Sequence, residues 1–262
     1  MSGSFRDSRG DHVRRNQSTW NAMAESWVAP GEAAWAQSEP TWGCWAAPES
    51  EMRMLPEDMT GLHAVELGCG TGYVSAWMAR RGARVVGLDV SEKQLETARR
   101  LQREHGLDFE LVHGNAEALP FENERFDFAI SEYGAALWAD PSVWLAEAQR
   151  VLKPGALLHF LNMSPLAHLV APEDAQEAFG RCFLRDYFGL DRLDWGKDGV
   201  EFNRTHSGWF RLFREIGFEI VDYLEPRPSQ PDPTRRFGVS ADWAFRFPHE
   251  QIWKLKKHSR VT

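Results

Sequence analysis

The stretch Glu66-Leu67-Gly68-Cys69-Gly70-Thr71-Gly72, with Asp89 seventeen positions beyond it, is where residue type and spacing point to chemistry. Glycines at alternate positions let a backbone turn sharply and approach a ligand where a Cβ would collide. A carboxylate at Asp89 can accept both hydroxyls of a ribose. A dinucleotide site requires G-x-G-x-x-G, with a diphosphate on a helix N-terminus. Here the third glycine comes one position early, and Tyr73 fills the place where glycine would permit close helix packing. Glu66 would repel a diphosphate and attract an ammonium. The combination fits a positively charged, phosphate-free adenosine ligand.

Such residues need a frame. Residues 62–67 read as an apolar strand that delivers the glycines to its carboxyl end. The following helix places Val74, Trp77 and Met78 on one face, and Gly82 ends it. Further strands are expected at 84–88, 109–112, 126–130 and 156–163. Ser91 with Gln94 forms a capping box for a helix that Gly106 closes. Asp140-Pro141 opens another helix, and Lys153-Pro154-Gly155-Ala156 fits a type II turn. This alternation predicts an α/β fold: a Rossmann-like, doubly wound, mostly parallel seven-stranded sheet with helices on both faces. Ligands of such sheets sit beyond the strands' carboxyl ends, where strand order reverses.

Around this core, residues 1–15 are expected to form a disordered arm and 16–60 a helical lid. Residues 61–163 form the binding core, and 164–205 a cap inserted after the fifth strand. Residues 206–262 complete the sheet with a helix at 206–216 and strands at 217–224 and 252–256. The proline-rich stretch 226–233 is a loop.

The order of motifs resembles the class I S-adenosylmethionine-dependent methyltransferases, and the outer segments Trp42-Gly-Cys-Trp45 with Glu49 and Gly208-Trp-Phe-Arg-Leu-Phe-Arg214 with Ile216-Gly-Phe218 resemble bacterial members acting on small molecules. Val65-Glu-Leu-Gly-Cys-Gly-Thr-Gly72 is similar to their first motif, and Leu88-Asp-Val-Ser91 to the acidic end of the second strand. Gly114-Asn-Ala-Glu-Ala-Leu-Pro-Phe121 resembles the adenine loop, Phe126-Asp-Phe-Ala-Ile-Ser131 the fourth-strand motif, and Arg150-Val-Leu-Lys-Pro-Gly155 the approach to the fifth strand. The resemblance implies that Gly68, Cys69, Gly70 and Gly72 wrap the methionine portion, with Glu66 near its ammonium. It further implies that Asp89 holds the ribose, Val90 packs on adenine, and Asn115, Ala116 and Glu117 form the adenine loop. The Ser131 carbonyl would meet the amino-acid tail. Asn115 departs from the family's usual aspartate, but its amide oxygen can still accept from the adenine amine.

The expected reaction is methyl transfer from S-adenosylmethionine to an O or N atom of a small, aromatic or apolar acceptor, leaving S-adenosylhomocysteine. Methylation of a protein, and binding without turnover, remain alternatives. Glu132 and Tyr133 follow the fourth strand and should face the methyl. Tyr133 and His206 are the catalytic candidates; Trp20, Trp27, Trp42, Glu132, Tyr133 and His168 are the candidates for the acceptor wall. His159 alternates within a buried strand and reads as structural.

Composition narrows the classes. A net charge of −8 opposes nucleic-acid binding. The basic run Lys254–Lys257 with Arg260 reads as a solvated terminal patch. Cys44, Cys69 and Cys182 form no C-x-x-C pair, so neither a disulfide framework nor a zinc site is expected, and no metal. No apolar run has the ~18 residues of a membrane helix, and the polar start lacks a signal peptide's apolar run. A cytoplasmic monomer or homodimer is the expectation.

Overall fold

The computed structural model describes residues 10–174 and 177–259. Helix α1 (Asp11–Met23) continues through a 3-10 turn into α2 (Val28–Trp35). Seven strands follow in one sheet: β1 (His63–Leu67), β2 (Arg84–Asp89), β3 (Glu110–His113), β4 (Phe126–Glu132), β5 (Leu152–Met163), β6 (Phe218–Leu224) and β7 (Glu250–Lys257). Their order is β6-β7-β5-β4-β1-β2-β3. β1 to β5 pair in parallel, while β7 runs antiparallel to both β5 and β6. The strand order therefore reverses between β1 and β4, which places the crevice beside the glycine loop.

Alternation along the strands feeds two core layers, one on each face. Val65, Leu67, Leu88, Leu158 and Phe160 pack with Trp144, Trp209 and Phe213. Ala64, Phe128, Ile130 and Leu161 pack with Trp35, Trp42, Trp77 and Met78. The helices after β2 and before β5 carry the expected caps at Ser91 and Asp140. Ser91 Oγ accepts from Gln94 N ahead of α4 (Glu92–His105), which follows α3 (Tyr73–Arg80). Asp140 accepts from Ser142 N ahead of α6 (Pro141–Val151), which follows the short α5 (Gly134–Trp138). Thr205 caps α7 (His206–Ile216) on Gly208 N.

Four sequence expectations are revised. Residues 1–9 of the expected arm lie outside the described residues, but Asp11 onward is helix with His12 and Val13 buried. The Lys153–Ala156 turn lies inside β5 as a register shift opposite Asp127, with Gly155 at φ 80°. The cap is built from two segments rather than one: Ala167, Leu169 and Leu190 share a cluster with Val239, Trp243 and Ala244. The basic run is not simply solvated, since Lys257 Nζ is buried and donates to the Gln149 and Leu152 carbonyls; Arg260 lies outside the described residues. Among the described residues no helix is long and apolar enough to cross a membrane.

Candidate functional site

The glycine loop leaves β1 and turns into α3, and each glycine is required for a different reason. Gly68, at φ 79°, lies under the start of α5; a Cβ there would sit 2.6 Å from Ala135 N and Gly134 Cα. Gly72 is left-handed at the N-cap of α3. Gly70, at φ 51°, has nothing within 4 Å of where its Cβ would be, so its face looks into open space. From behind, Trp35 Nε1 donates to the Thr71 carbonyl at 2.8 Å, tying α2 to the loop.

Carboxylates ring this space. Asp89 Oδ2 accepts from Gly70 N and its Oδ1 from Ser91 N, both at 2.7 Å. Glu66 Oε2 accepts from Ser75 N at 2.7 Å and Ser75 Oγ at 2.5 Å, across the first turn of α3. Glu132 accepts from Gly43 N and the Tyr73 hydroxyl, each at 2.7 Å. Burial raises the pKa of all three. For Glu66 the shift is large, and the charges of Glu132 and Asp89 add to it. Among the described residues none of the three is in an ion pair. Buried carboxylates sharing a site without a cation favour a cationic ligand over an anionic one.

The lid crosses above. Gln17 Nε2 donates to the Val90 carbonyl at 2.9 Å, Ser91 Oγ donates to Asn21 Oδ1 at 2.8 Å, and His12 Nε2 lies 2.7 Å from Glu117 Oε1. Thus α1 closes over the ends of β2 and β3 through polar residues that the tryptophan spacing did not single out. Asn115 Oδ1 is occupied by its own turn, accepting from Glu117 N at 2.9 Å. Ala116 is buried beside it. Glu117 is committed to His12 and Asp140 N, which turns its carboxylate to the lid rather than to the adenine expected there. Ser131 is fully buried and ties β4 to β1, donating from Oγ to the Leu67 carbonyl at 2.7 Å. Cys69 is buried in the loop and its thiol is held protonated by desolvation.

The candidates for the acceptor side divide. Trp20 packs against Trp27 and Trp138, with centroids 5.6 and 5.2 Å apart, and Trp27 stacks on Phe237 at 5.9 Å. These rings are partly exposed and bridge the lid to the second cap segment. Trp42 is a correction: it is fully buried on Trp77 and donates to Glu49 Oε2 at 2.6 Å, so it anchors the lid in the core and lines no wall. His168 is likewise internal, with Nε2 3.0 Å from Glu201 and Nδ1 2.6 Å from Asn203; both ring nitrogens are spent inside the cap. His206 lies beside Tyr223 of β6 at 3.1 Å. β6 is three strand spacings from β4, ~14 Å at about 4.8 Å each, which removes it from the crevice. His159 is buried against the Met54 carbonyl, and desolvation lowers its pKa to about 4.

Tyr133 holds the junction after β4 in an unusual conformation, φ 54° and ψ −45°. Its hydroxyl donates to Glu250 Oε1 and lies 3.3 Å from Cys44 Sγ. Glu250 also accepts from Cys44 N at 2.7 Å. Burial, reinforced by the charge of Glu132 and opposed by these hydrogen bonds, raises Glu250 to about 7. His249 next to it is pushed down to about 3, first by burial and then by His168. Sequence reasoning missed Glu250 and His249: no local pattern marks them, and their partners Tyr133, Cys44 and Trp45 stand 117 to 206 positions away.

A family described as a methyltransferase domain matches residues 65–160. Proteins named ubiquinone biosynthesis O-methyltransferase are similar. The one from Roseobacter denitrificans is 36% identical over 169 residues, 64% of each chain. The one from Dinoroseobacter shibae is 36% identical over 185 residues, 63% of this chain and 74% of that one. The chain thus matches just under two thirds of the first relative's length. A Listeria monocytogenes structure titled a putative S-adenosylmethionine-dependent methyltransferase superposes with TM-score 0.64 at 21% identity, over 80% of this chain and 97% of that one. With its ordered motifs, sheet topology and these relatives, the chain belongs to the class I S-adenosylmethionine-dependent methyltransferase family.

Proposed function

We propose that this protein transfers the methyl group of S-adenosylmethionine to a hydroxyl oxygen of a small, flat, aromatic acceptor. The observation that carries the cofactor half is the set Glu66, Asp89 and Glu132, buried around the open face of Gly70 with no cationic side chain among the described residues paired to them. An ammonium and a sulfonium answer that field; a diphosphate does not. In this reading Gly68, Cys69, Gly70 and Gly72 cradle the methionine portion, Glu66 faces its ammonium and Asp89 holds the ribose. Val90, Asn115 and Ala116 line the adenine edge, with Ser131 behind the tail. The acceptor half draws on the partly exposed Trp20, Trp27 and Trp138 and on the O-methyltransferase names of the relatives.

The cofactor, when bound, supplies a methyl already activated on sulfur. The chain's task is then alignment, which is worth ~7–11 kcal/mol of a displacement barrier. The lid helix excludes water from the ends of β2 and β3, and aromatic rings orient a flat acceptor. Tyr133 stands at the end of β4 with its hydroxyl backed by Glu250, a pair suited to take a proton from an acceptor hydroxyl.

Release of S-adenosylhomocysteine against a panel of phenols, catechols and hydroquinones, with peptides in parallel, tests the proposal. Turnover with a small phenolic acceptor is expected. Tight cofactor binding with no product from any acceptor would overturn it in favour of a binding protein, and turnover of peptides alone would favour protein methylation.

A further inference from the structure

At the start of β7 three side chains of metal-ligating type meet beneath the lid. The donor atoms of Cys44, His249 and Glu250 all lie within 4.8 Å of one another, and all three residues are buried. Cys44 arrives from the lid segment after α2, while His249 and Glu250 form the edge of the sheet beyond the proline-rich loop. The sequence could not bring them together, because 205 positions separate Cys44 from His249.

A second observation points to a missing partner. Glu250 Oε1 is engaged by Tyr133 and Cys44 N, but Oε2 is buried and has no hydrogen-bond partner among the described residues. His249 is 1% exposed; Trp45 Nε1 donates to its Nδ1 at 3.1 Å, and Nε2 is likewise buried and without a partner among the described residues. Buried polar atoms are left unsatisfied at a cost of ~1–3 kcal/mol each, and two such atoms occur here on adjacent residues beside a buried thiol. Gly43, at φ 69°, packs directly on them: a Cβ there would lie 2.3–2.6 Å from the Glu250 oxygens and would have to displace that carboxylate.

We propose that Cys44, His249 and Glu250 bind a zinc ion that staples the lid segment to the edge of the sheet. One thiolate, one imidazole and one carboxylate form a borderline-soft donor set that suits Zn²⁺ and excludes Mg²⁺ and Ca²⁺, which take oxygen shells. Around zinc these donors stand about 3.3–3.6 Å apart, given bond lengths of about 2.0–2.3 Å, so a small inward movement of the donors completes the site. A fourth donor is at hand in the Tyr133 hydroxyl, which already touches Cys44 and Glu250. Binding displaces the thiol proton to solvent. It also breaks the Trp45 hydrogen bond: ligation through Nδ1 takes the lone pair that Trp45 uses, and ligation through Nε2 puts the proton on Nδ1. The site goes beyond the methyl-transfer reading and is independent of its cofactor half, but with zinc bound Glu250 is a ligand, so the Tyr133–Glu250 pair can take an acceptor proton only in the metal-free chain.

The test is metal analysis of the full chain, stripped with chelator and reconstituted with Zn²⁺ or Co²⁺. One equivalent of zinc per chain is expected, and Co²⁺ should give a thiolate-to-metal charge-transfer band with the strong visible absorption of four-coordination. Cys44→Ser should abolish the charge-transfer band, and His249→Gln should weaken zinc binding by more than the ~10–100-fold that loss of an outer partner costs. Absence of stoichiometric zinc, or a Co²⁺ complex of the unmodified chain lacking the thiolate band, would overturn the proposal. So would unchanged affinity in both variants. S-adenosylmethionine binding measured on the same samples separates loss of metal from loss of fold.

Discussion

Two places along one edge of the sheet gather buried carboxylates, and they are assembled in opposite ways. Beside the glycine loop, Asp89 takes backbone hydrogen bonds from Gly70 and Ser91, 19 and 2 positions away, and Glu66 takes its own from Ser75, 9 away. Where the ends of β4 and β7 come together, Glu250 is bonded by Cys44, 206 positions away, and Glu132, which also faces the glycine loop, is bonded by Gly43, 89 away. The first arrangement forms with the core itself. The second exists only once the lid and the last strand have docked, so it reports on the lid as the first cannot.

The largest effect expected separates two glycines of the same loop. Gly68→Ala drives a Cβ into the backbone of α5 and strains a positive φ, costing about 3 kcal/mol or more. Gly70→Ala meets only open space and costs ~1 kcal/mol for its φ. Denaturant midpoints and calorimetric affinities for S-adenosylmethionine should therefore split. The first variant loses stability, while the second stays folded and binds at least 10-fold more weakly. Equal stability losses would show that the open face of Gly70 is filled by protein.

Asp89→Ala comes next. Removing charged hydrogen bonds worth ~1.5–3 kcal/mol should weaken cofactor binding by about 10–100-fold, with Asp89→Asn intermediate because it can still accept from Gly70. Undiminished affinity in Asp89→Ala would move the ribose elsewhere.

Glu66 gives a proton-linked effect. Its folded pKa is raised, so its contribution to the stability of the cofactor-free chain is fully present below the ordinary carboxylate range. That contribution is lost as pH rises through the folded value. A cationic ligand favours the ionised form, so binding should release a proton and strengthen as pH rises. Calorimetry over a series of pH values, in buffers of different ionisation enthalpy, should detect the release, and Glu66→Gln should suppress it. Proton uptake on binding would contradict the sign.

What the sequence made legible follows the same division. Strands β1 to β5, the caps at Ser91 and Asp140, and the glycine loop are readable because each depends on neighbours within a few residues. The helix over the crevice was anticipated, but its tryptophans drew attention from Gln17 and Asn21, which make the contacts. Trp42 was misplaced because aromatic character does not distinguish a wall from a core. The cap's second segment and the Cys44–His249–Glu250 cluster leave no trace in the sequence, since contacts between segments so far apart along the chain create no local periodicity.

Trp27 tests the exposed side of the lid. Its stacking on Phe237 joins the lid to the cap, and aromatic pairs of this kind are worth ~0.5–1.5 kcal/mol. Trp27→Ala should raise the KM of a phenolic acceptor by about 2–10-fold and leave cofactor affinity unchanged. If cofactor affinity falls instead, the tryptophan belongs to the first region rather than to the acceptor side.

The smallest effect is expected at His206, whose position tempted a catalytic reading. Its ring is held between Tyr187 and Tyr223, on the far side of β7 and β5 from the crevice. Glutamine preserves a polar partner for both hydroxyls, so His206→Gln should keep kcat within about twofold and leave the shape of the pH–rate profile intact. A histidine acting as base would instead remove one limb of that profile and lower kcat by the ~10²–10⁴-fold that general base catalysis contributes. The two outcomes differ by orders of magnitude, so a weak substrate from the phenol panel suffices to decide whether chemistry stays at the β1–β4 crevice or reaches the edge strand.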